Sequence, residues 1–291
     1  MTSRTLIVFG LGYSARALVD RLRPDGWKIR ATARDADKVA ALCAEGIDAQ
    51  RFDGTAPVAD VAALLDGASH ILLSAPPGAD GDPVLNWHGG DIAARAPHME
   101  WVGYLSTTGV YGDRAGGWVD ESSELTPATE RGLRRVDAET SWCRLRRDSG
   151  LPVHLFRLAG IYGPGRNALE TVRSRRSRRV IRDGQVFSRI HVADIAAVLA
   201  ASMARPNPGA AYNLCDDDPA PPQDVVTHAC ELLGVAPPPE IPFEEAEMSE
   251  MGRSFYAESK RVSNARIKEE LGVTLAYPDY RAGLAALLAE T

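Results

Sequence analysis

Lysine is scarce in this chain. It is confined to Lys28, Lys38, Lys260 and Lys268, so arginine supplies nearly all of the 33 basic residues. Set against 39 acidic residues, these give a formal charge of −6, a balance that argues against a dedicated nucleic-acid binder. Long apolar runs are also missing. No segment approaches the roughly 20 apolar residues that a bilayer crossing needs, so no membrane association is expected. The first residues run from Met1 into Leu6-Ile7-Val8-Phe9 with no basic n-region, long h-region or small-residue cleavage site, and no secretory leader is expected. Cys43, Cys143, Cys215 and Cys230 form no CxxC pair and have no histidines at zinc-like spacing. Neither a disulfide framework nor a metal site is expected, and a reduced, cytoplasmic setting is. What is present is an ordinary globular composition, 45% hydrophobic and 25% charged over 291 residues, enough for one large core or two coupled ones.

Short apolar runs alternate with longer amphipathic ones up to about residue 160. Thr5 to Phe9, Trp27 to Ala33, Ile47 to Phe52, His70 to Ser74, Trp101 to Ser106 and Pro152 to Leu158 read as strands. Between them, Ser14 to Leu22, Ala36 to Ala44, Val58 to Leu65, Val84 to Ala94 and Arg134 to Arg147 carry apolar residues at helical spacing. Alternating strand and helix predicts an α/β fold, a Rossmann-type doubly wound parallel sheet, with a smaller C-terminal substrate lobe. The dinucleotide-binding domain is expected over 1–165 and completed by about 187–215. Residues 166–186 and 216–291 are then the substrate lobe. Asp35 and Asp194 stand where helices begin and read as N-caps.

The first strand runs straight into Gly10-Leu11-Gly12-Tyr13-Ser14-Ala15 and then a helix, the context that a GxGxxG/A match requires. Gly10 permits the tight turn and Gly12 lets the main chain approach a pyrophosphate. Small Ala15 allows close helix packing, and the helix N-terminus offers N–H groups and partial positive charge. The residues ending the second strand are Thr32-Ala33-Arg34. Arg34, helped by Thr32, suits the 2′-phosphate of NADP better than a bare ribose diol, while Asp35 keeps NAD in play. Asp53 after the third strand reads as an adenine contact. Ser74, Ala75 and Pro76 after the fourth read as a border to the adjoining ribose, and both segments are equally compatible with turn chemistry.

The fifth strand ends in Leu105-Ser106-Thr107-Thr108-Gly109-Val110-Tyr111-Gly112, followed by Trp118-Val119-Asp120-Glu121. Downstream come Arg157-Leu158-Ala159-Gly160-Ile161-Tyr162-Gly163-Pro164-Gly165-Arg166 and Arg189-Ile190-His191-Val192-Ala193-Asp194. With the glycine loop, these four ordered motifs resemble the extended branch of the short-chain dehydrogenase/reductase superfamily, the nucleotide-sugar epimerases and dehydratases. The resemblance implies a nicotinamide cofactor and a small-molecule substrate such as a nucleotide sugar. It also implies a hydroxyl from Thr107 that hydrogen-bonds the reacting oxygen, with Thr108 beside it, and a dimer through the long helices flanking the fifth strand.

One part of the family pattern is missing. The superfamily uses a Tyr as acid/base and a Lys four residues later, on one helix face, where the ammonium lowers the phenol's pKa. Here Arg131 and Arg135 occupy those two places, and arginine does not release its proton at usable pH. Arg135 can still hold the cofactor ribose or a substrate phosphate. A YxxxK does occur at Tyr256 to Lys260, about 150 residues after Thr107, and reads as coincidence. Tyr111 and Tyr162, on loops after strands, are the substitutes to weigh, with Tyr111 the best available proton carrier; each reads first as a packing residue with its hydroxyl satisfied. Tyr162, Arg166 and Arg189 are the candidates for substrate. The basic run Arg173, Arg175, Arg176, Arg178, Arg179 and Arg182 reads either as a solvated face or as a phosphate site. His191 reads as structural. Two functions stay open: nicotinamide-dependent redox or epimerase-like chemistry, and a catalytically silent dinucleotide sensor or scaffold.

Overall fold

A computed structural model describes residues 4–290. Seven strands form the central sheet: β1 (Thr5–Phe9), β2 (Lys28–Ala33), β3 (Asp48–Arg51), β4 (His70–Leu73), β5 (Trp101–Thr107), β6 (Val153–Leu158) and β7 (Ala211–Leu214), in spatial order β7-β6-β5-β4-β1-β2-β3. Pairing is parallel, with Leu6 opposite Ile29 on one side and opposite His70 on the other. The order reverses at β1, the switch point where doubly wound sheets bind ligands beyond the strand C-termini. Thr5 to Phe9 are buried throughout, as a parallel strand covered on both faces must be.

The crossovers are α1 (Tyr13–Leu22), α2 (Ala36–Ala44), α3 (Val61–Leu65), α4 (Pro83–Ala94) and α5 (Glu130–Ser149). Helix α1 buries Ser14, Ala15, Leu18, Val19 and Leu22, one face at three-to-four spacing. Helix α3 starts three residues later than its apolar pattern, because Asp60 caps it by accepting the Ala63 N–H at 2.9 Å. Asp35 takes the N-cap position of α2, yet its side chain accepts no capping bond. Asp194 is no cap at all. Its helix begins at Val192, and its carboxylate instead accepts the Ala276 and Tyr277 N–H groups at 2.8 and 3.0 Å.

The chain clusters into two compact units. One comprises residues up to Thr107 with Leu133–Arg157 and Ile195–Tyr212; the other comprises Thr108–Gly132, Leu158–Asp194 and the residues from Asn213 onward. The stretches 108–132, 158–165, 187–194 and 213–215, read from the sequence as part of the first domain, cluster with the second. The first unit's core joins Ile7, Phe9, Ile71, Val102, Tyr104 and Trp142. The second unit's core gathers Tyr162, Leu169, Val225, Tyr280 and Leu284. Among the described residues no helix is long and apolar enough to cross a membrane.

Candidate functional site

In the first unit the glycine loop is held from below. Gly10 has φ +84°, and a Cβ there would lie 3.0 Å from the Ala75 nitrogen, so only glycine fits without moving backbone. The Gly10 N–H donates to the Thr32 hydroxyl and the Leu11 N–H to the Thr32 carbonyl, both at 2.9 Å. Thr32 is fully buried. Its expected part in phosphate recognition is therefore corrected: it anchors the loop. The Ser74 and Ala75 N–H groups donate to the Phe9 carbonyl at 2.9 and 3.0 Å, so Ser74 and Ala75 buttress the same turn, with Pro76 following them.

Above the loop the chain is open. Gly12 occupies the N-cap of α1, no side chain caps that terminus, and no acidic residue lies in the first turn. A Cβ on Gly12 would meet only the Gly10 carbonyl, at 3.9 Å. Tyr13, Ser14 and Ala15 form the first turn, with Ala15 wholly buried against the sheet. A helix start without an internal cap, entered through Gly10 and Gly12, fits a pyrophosphate.

Arg34 is exposed at the end of β2. Its neighbour is Arg51, missed in the sequence because it lies on a different strand. Arg51 pairs with Ala33 across the ladder and donates to the Arg34 carbonyl at 3.1 Å. Two guanidinium groups thus stand at adjoining strand ends. Asp53 is occupied: it accepts from Arg51 at 2.9 Å and from the Thr55 N–H and hydroxyl at 3.0 and 2.6 Å. Those Thr55 bonds hold its carboxyl below the usual range. That is turn chemistry, the alternative reading of Asp53.

Behind β5 lies a buried polar network. The Ser106 hydroxyl donates to Glu139 at 2.5 Å, and Arg157 donates to both Glu139 carboxylate oxygens, the shortest contact being 2.8 Å. Arg135, in the lysine place of the family pattern, donates through one nitrogen to the Leu105 carbonyl and to the Tyr104 hydroxyl. It is tied to β5, with its remaining nitrogens uncommitted among the described residues. Thr107 ends β5, half exposed.

The second unit takes up the chain at Thr108. The turn Thr108–Tyr111 buries Tyr111 completely, and its hydroxyl donates to Asn213 at 2.7 Å. Asn213 is fixed in turn, its N–H donating to Glu121 at 2.7 Å. Tyr111 is therefore a structural anchor; the expected proton carrier has no solvent access and a committed hydroxyl. Asn213 carries no signal in the sequence, and Glu121, quoted there only as the end of the Trp118-Val119-Asp120-Glu121 segment, had no role assigned. Tyr162 packs edge-on against His191, and its hydroxyl reaches the Asp279 carbonyl at 3.3 Å. Burial pushes its pKa up. Gly283 lets that ring in, since a Cβ there would meet the hydroxyl at 2.1 Å.

Arg189 donates to the Phe187 and Ala220 carbonyls at 2.8 and 3.0 Å, so it is built into the backbone and not held out for a phosphate. Near it, both oxygens of buried Asp216 lack well-formed hydrogen bonds among the described residues, and burial pushes its pKa up to about 8 despite the Arg189 charge and the Asp218 backbone N–H. Arg166 and Arg131 are exposed. The arginine run is largely spent singly: Arg173 on Glu170, Arg178 on the Glu247 carbonyl, Arg179 on Glu240. Tyr256 and Lys260 share no helix. The helix there ends at Phe255, and Lys260 donates to the Gly112 carbonyl at 2.8 Å and pairs with Glu258.

No family model matches the sequence. A functionally unknown conserved protein from Silicibacter pomeroyi has a solved structure that is 54% identical, covers 99% of both chains and superimposes with a TM-score of 0.90. Protein YeeZ of Escherichia coli K12 is 29% identical over 286 residues, 95% of this chain and 97% of its own. The dTDP-glucose 4,6-dehydratase of Bacillus anthracis, solved in complex with NAD, is 15% identical and covers 99% of this chain and 96% of its own with a TM-score of 0.78. At that identity the likeness is one of fold.

Proposed function

We propose, for a chain that belongs to one family with the conserved Silicibacter pomeroyi protein and has the extended short-chain dehydrogenase/reductase fold, a nicotinamide-dependent redox or epimerase-like activity on a small hydroxyl or carbonyl compound, nucleotide sugars included. The observation that carries this reading is the uncapped glycine loop, fixed by Thr32 and Ala75 and open at Gly12. When bound, a nicotinamide dinucleotide supplies hydride transfer. The chain's own part is to bind the pyrophosphate along Gly10 to Ala15 and to orient the reacting oxygen with the Thr107 hydroxyl, backed by Thr108. Arg135's uncommitted nitrogens are placed to hold a ribose. NADP is the proposed cofactor over NAD, because the exposed Arg34 guanidinium just after β2 suits a 2′-phosphate. A reduced cytoplasmic setting accords with four free cysteines, and a homodimer accords with exposed Trp87 on α4 and Leu133 on α5.

The commitment of Tyr111 and Tyr162, together with Arg131 and Arg135 in the tyrosine and lysine places, favours a second reading: a dinucleotide-binding sensor without turnover. Titration with NADP and NAD followed by a turnover assay separates the two. Arg34→Ala should weaken NADP by about 1.5 to 3 kcal/mol, the cost of a lost charged hydrogen bond, and leave NAD nearly unchanged. Equal losses refute the cofactor choice, absence of binding refutes the whole reading, and binding without absorbance change at the nicotinamide band across sugar nucleotides and simple carbonyls selects the sensor.

A further inference from the structure

Three segments of the second unit are stitched together around a cavity of about 240 Å³ lined by Asp113, Arg182, Asp183, Gln185, Tyr256 and Ser259, among others. The stitching is dense. Asp113 accepts the Ser259 N–H at 2.7 Å, and the Arg114 and Gly116 N–H groups donate to the Ser259 carbonyl at 3.0 and 2.9 Å. The Ser259 hydroxyl donates to the Gly184 carbonyl at 2.8 Å, and Gln185 donates to the Glu258 carbonyl at 2.7 Å. Ala115, on the wall, has φ +48°, a left-handed conformation that a side chain disfavours and that a tightly determined surround must hold.

The walls carry three charged side chains, Asp113, Arg182 and Asp183, all exposed to solvent. The Arg182 guanidinium lies over the Phe243 ring at 4.9 Å and has no hydrogen bond or ion pair among the described residues. Asp183 has no such partner either. Asp113 has only backbone N–H donors, which hold its carboxyl below the usual range. Tyr256, packed against Phe187 and Phe243 at 5.6 and 5.3 Å, contributes a ring face and a hydroxyl without a hydrogen-bond partner among the described residues. One unpaired guanidinium and two carboxylates around a partly aromatic wall oppose a plain anion, which the acids repel, and leave a plain amine without use for Arg182. At about 240 Å³ the depression is sized for a small molecule.

We infer that this cavity binds a small zwitterion of the α-amino acid type with an apolar side chain, its carboxylate on Arg182, its ammonium on Asp113 and Asp183, and its side chain against Tyr256. Carboxylate on guanidinium is a forked, charge-assisted pair, and the opposed acids supply the second anchor that fixes orientation. The residues of the site all belong to the second unit.

Calorimetry on the full-length protein, with L-phenylalanine as probe and with phenylpropanoate and phenethylamine as its two halves, tests the assignment. Saturable binding of L-phenylalanine is expected, with each half at least about tenfold weaker, the loss of roughly one charged contact. Arg182→Gln should weaken L-phenylalanine and phenylpropanoate while sparing phenethylamine, and Asp183→Asn should do the reverse. Retained phenethylamine binding shows that the Arg182→Gln protein is folded. No saturation by L-phenylalanine, phenylpropanoate binding as tightly as L-phenylalanine, or affinities indifferent to both substitutions would each overturn the proposal.

Discussion

The glycine loop and the tyrosines of the second unit were both marked by sequence, yet they turn out to be opposite kinds of feature. At the loop, the proposed dinucleotide binding rests on what is absent: side chains at Gly10 and Gly12, a cap on α1, an acid in its first turn. Around Tyr111 and Tyr162, side chains of the right chemistry are present and already occupied, by Asn213 and by the Asp279 carbonyl. A buried polar group must find a partner. A reactive residue type therefore says little until its hydrogen bonds are counted, whereas a bare backbone leaves few competing uses.

The sharpest way to break this contrast is to attack the network behind β5, where charge is present, buried and fully paired. Glu139→Ala leaves Arg157 buried without its carboxylate, and loss of one partner from such a pair costs about 3 to 5 kcal/mol. Both side chains are less than 8% exposed, at 4% and 7%, so little solvent screening offsets the loss. Urea denaturation should show the drop, with Glu139→Gln recovering part of it. A loss under about 1 kcal/mol would mean that the pair is open to water and that the contrast between spent and available groups fails here.

Asp216 is the exception in the second unit, a buried carboxylate whose oxygens accept no well-formed hydrogen bond among the described residues. Its folded pKa, about 8, lies above the unfolded value. The protonated form is therefore favoured by folding; stability is fully present below about pH 4 and is lost progressively as pH rises through about 8. The expected result is a melting temperature that falls between pH 5 and pH 8, with a slope that Asp216→Asn flattens. If the variant keeps the wild-type slope, the carboxylate is ionised and partnered after all, and the exception disappears.

How much was legible follows the same division. The strand and helix alternation and the glycine loop were readable because each is local: period two, period three to four, and a turn that only glycine fits. Thr32 was misassigned because its role depends on a ladder that sets it beneath Gly10, 22 residues away. Asp194 was misread as a cap because its partners, Ala276 and Tyr277, lie more than 80 residues on. Arg51, Asn213 and Glu139 carry no motif at all; their positions are consequences of register and packing. Local geometry is written in local sequence, while the satisfaction of buried polar groups is a property of the whole fold.

Tyr111 gives the smallest effect and the finest discrimination. Tyr111→Phe removes one neutral hydrogen bond and leaves the Asn213 carbonyl oxygen short of a donor, a loss of about 1 to 3 kcal/mol in stability. Since the hydroxyl is sealed from solvent and already donated, turnover should survive the change wherever the protein stays folded, while Thr107→Ala should depress it. The pair of variants, compared in one assay at a temperature well below both melting points, separates an anchor from a proton carrier. A Tyr111→Phe protein that keeps its stability but loses turnover would return the tyrosine to the chemistry and erase the distinction between the two regions.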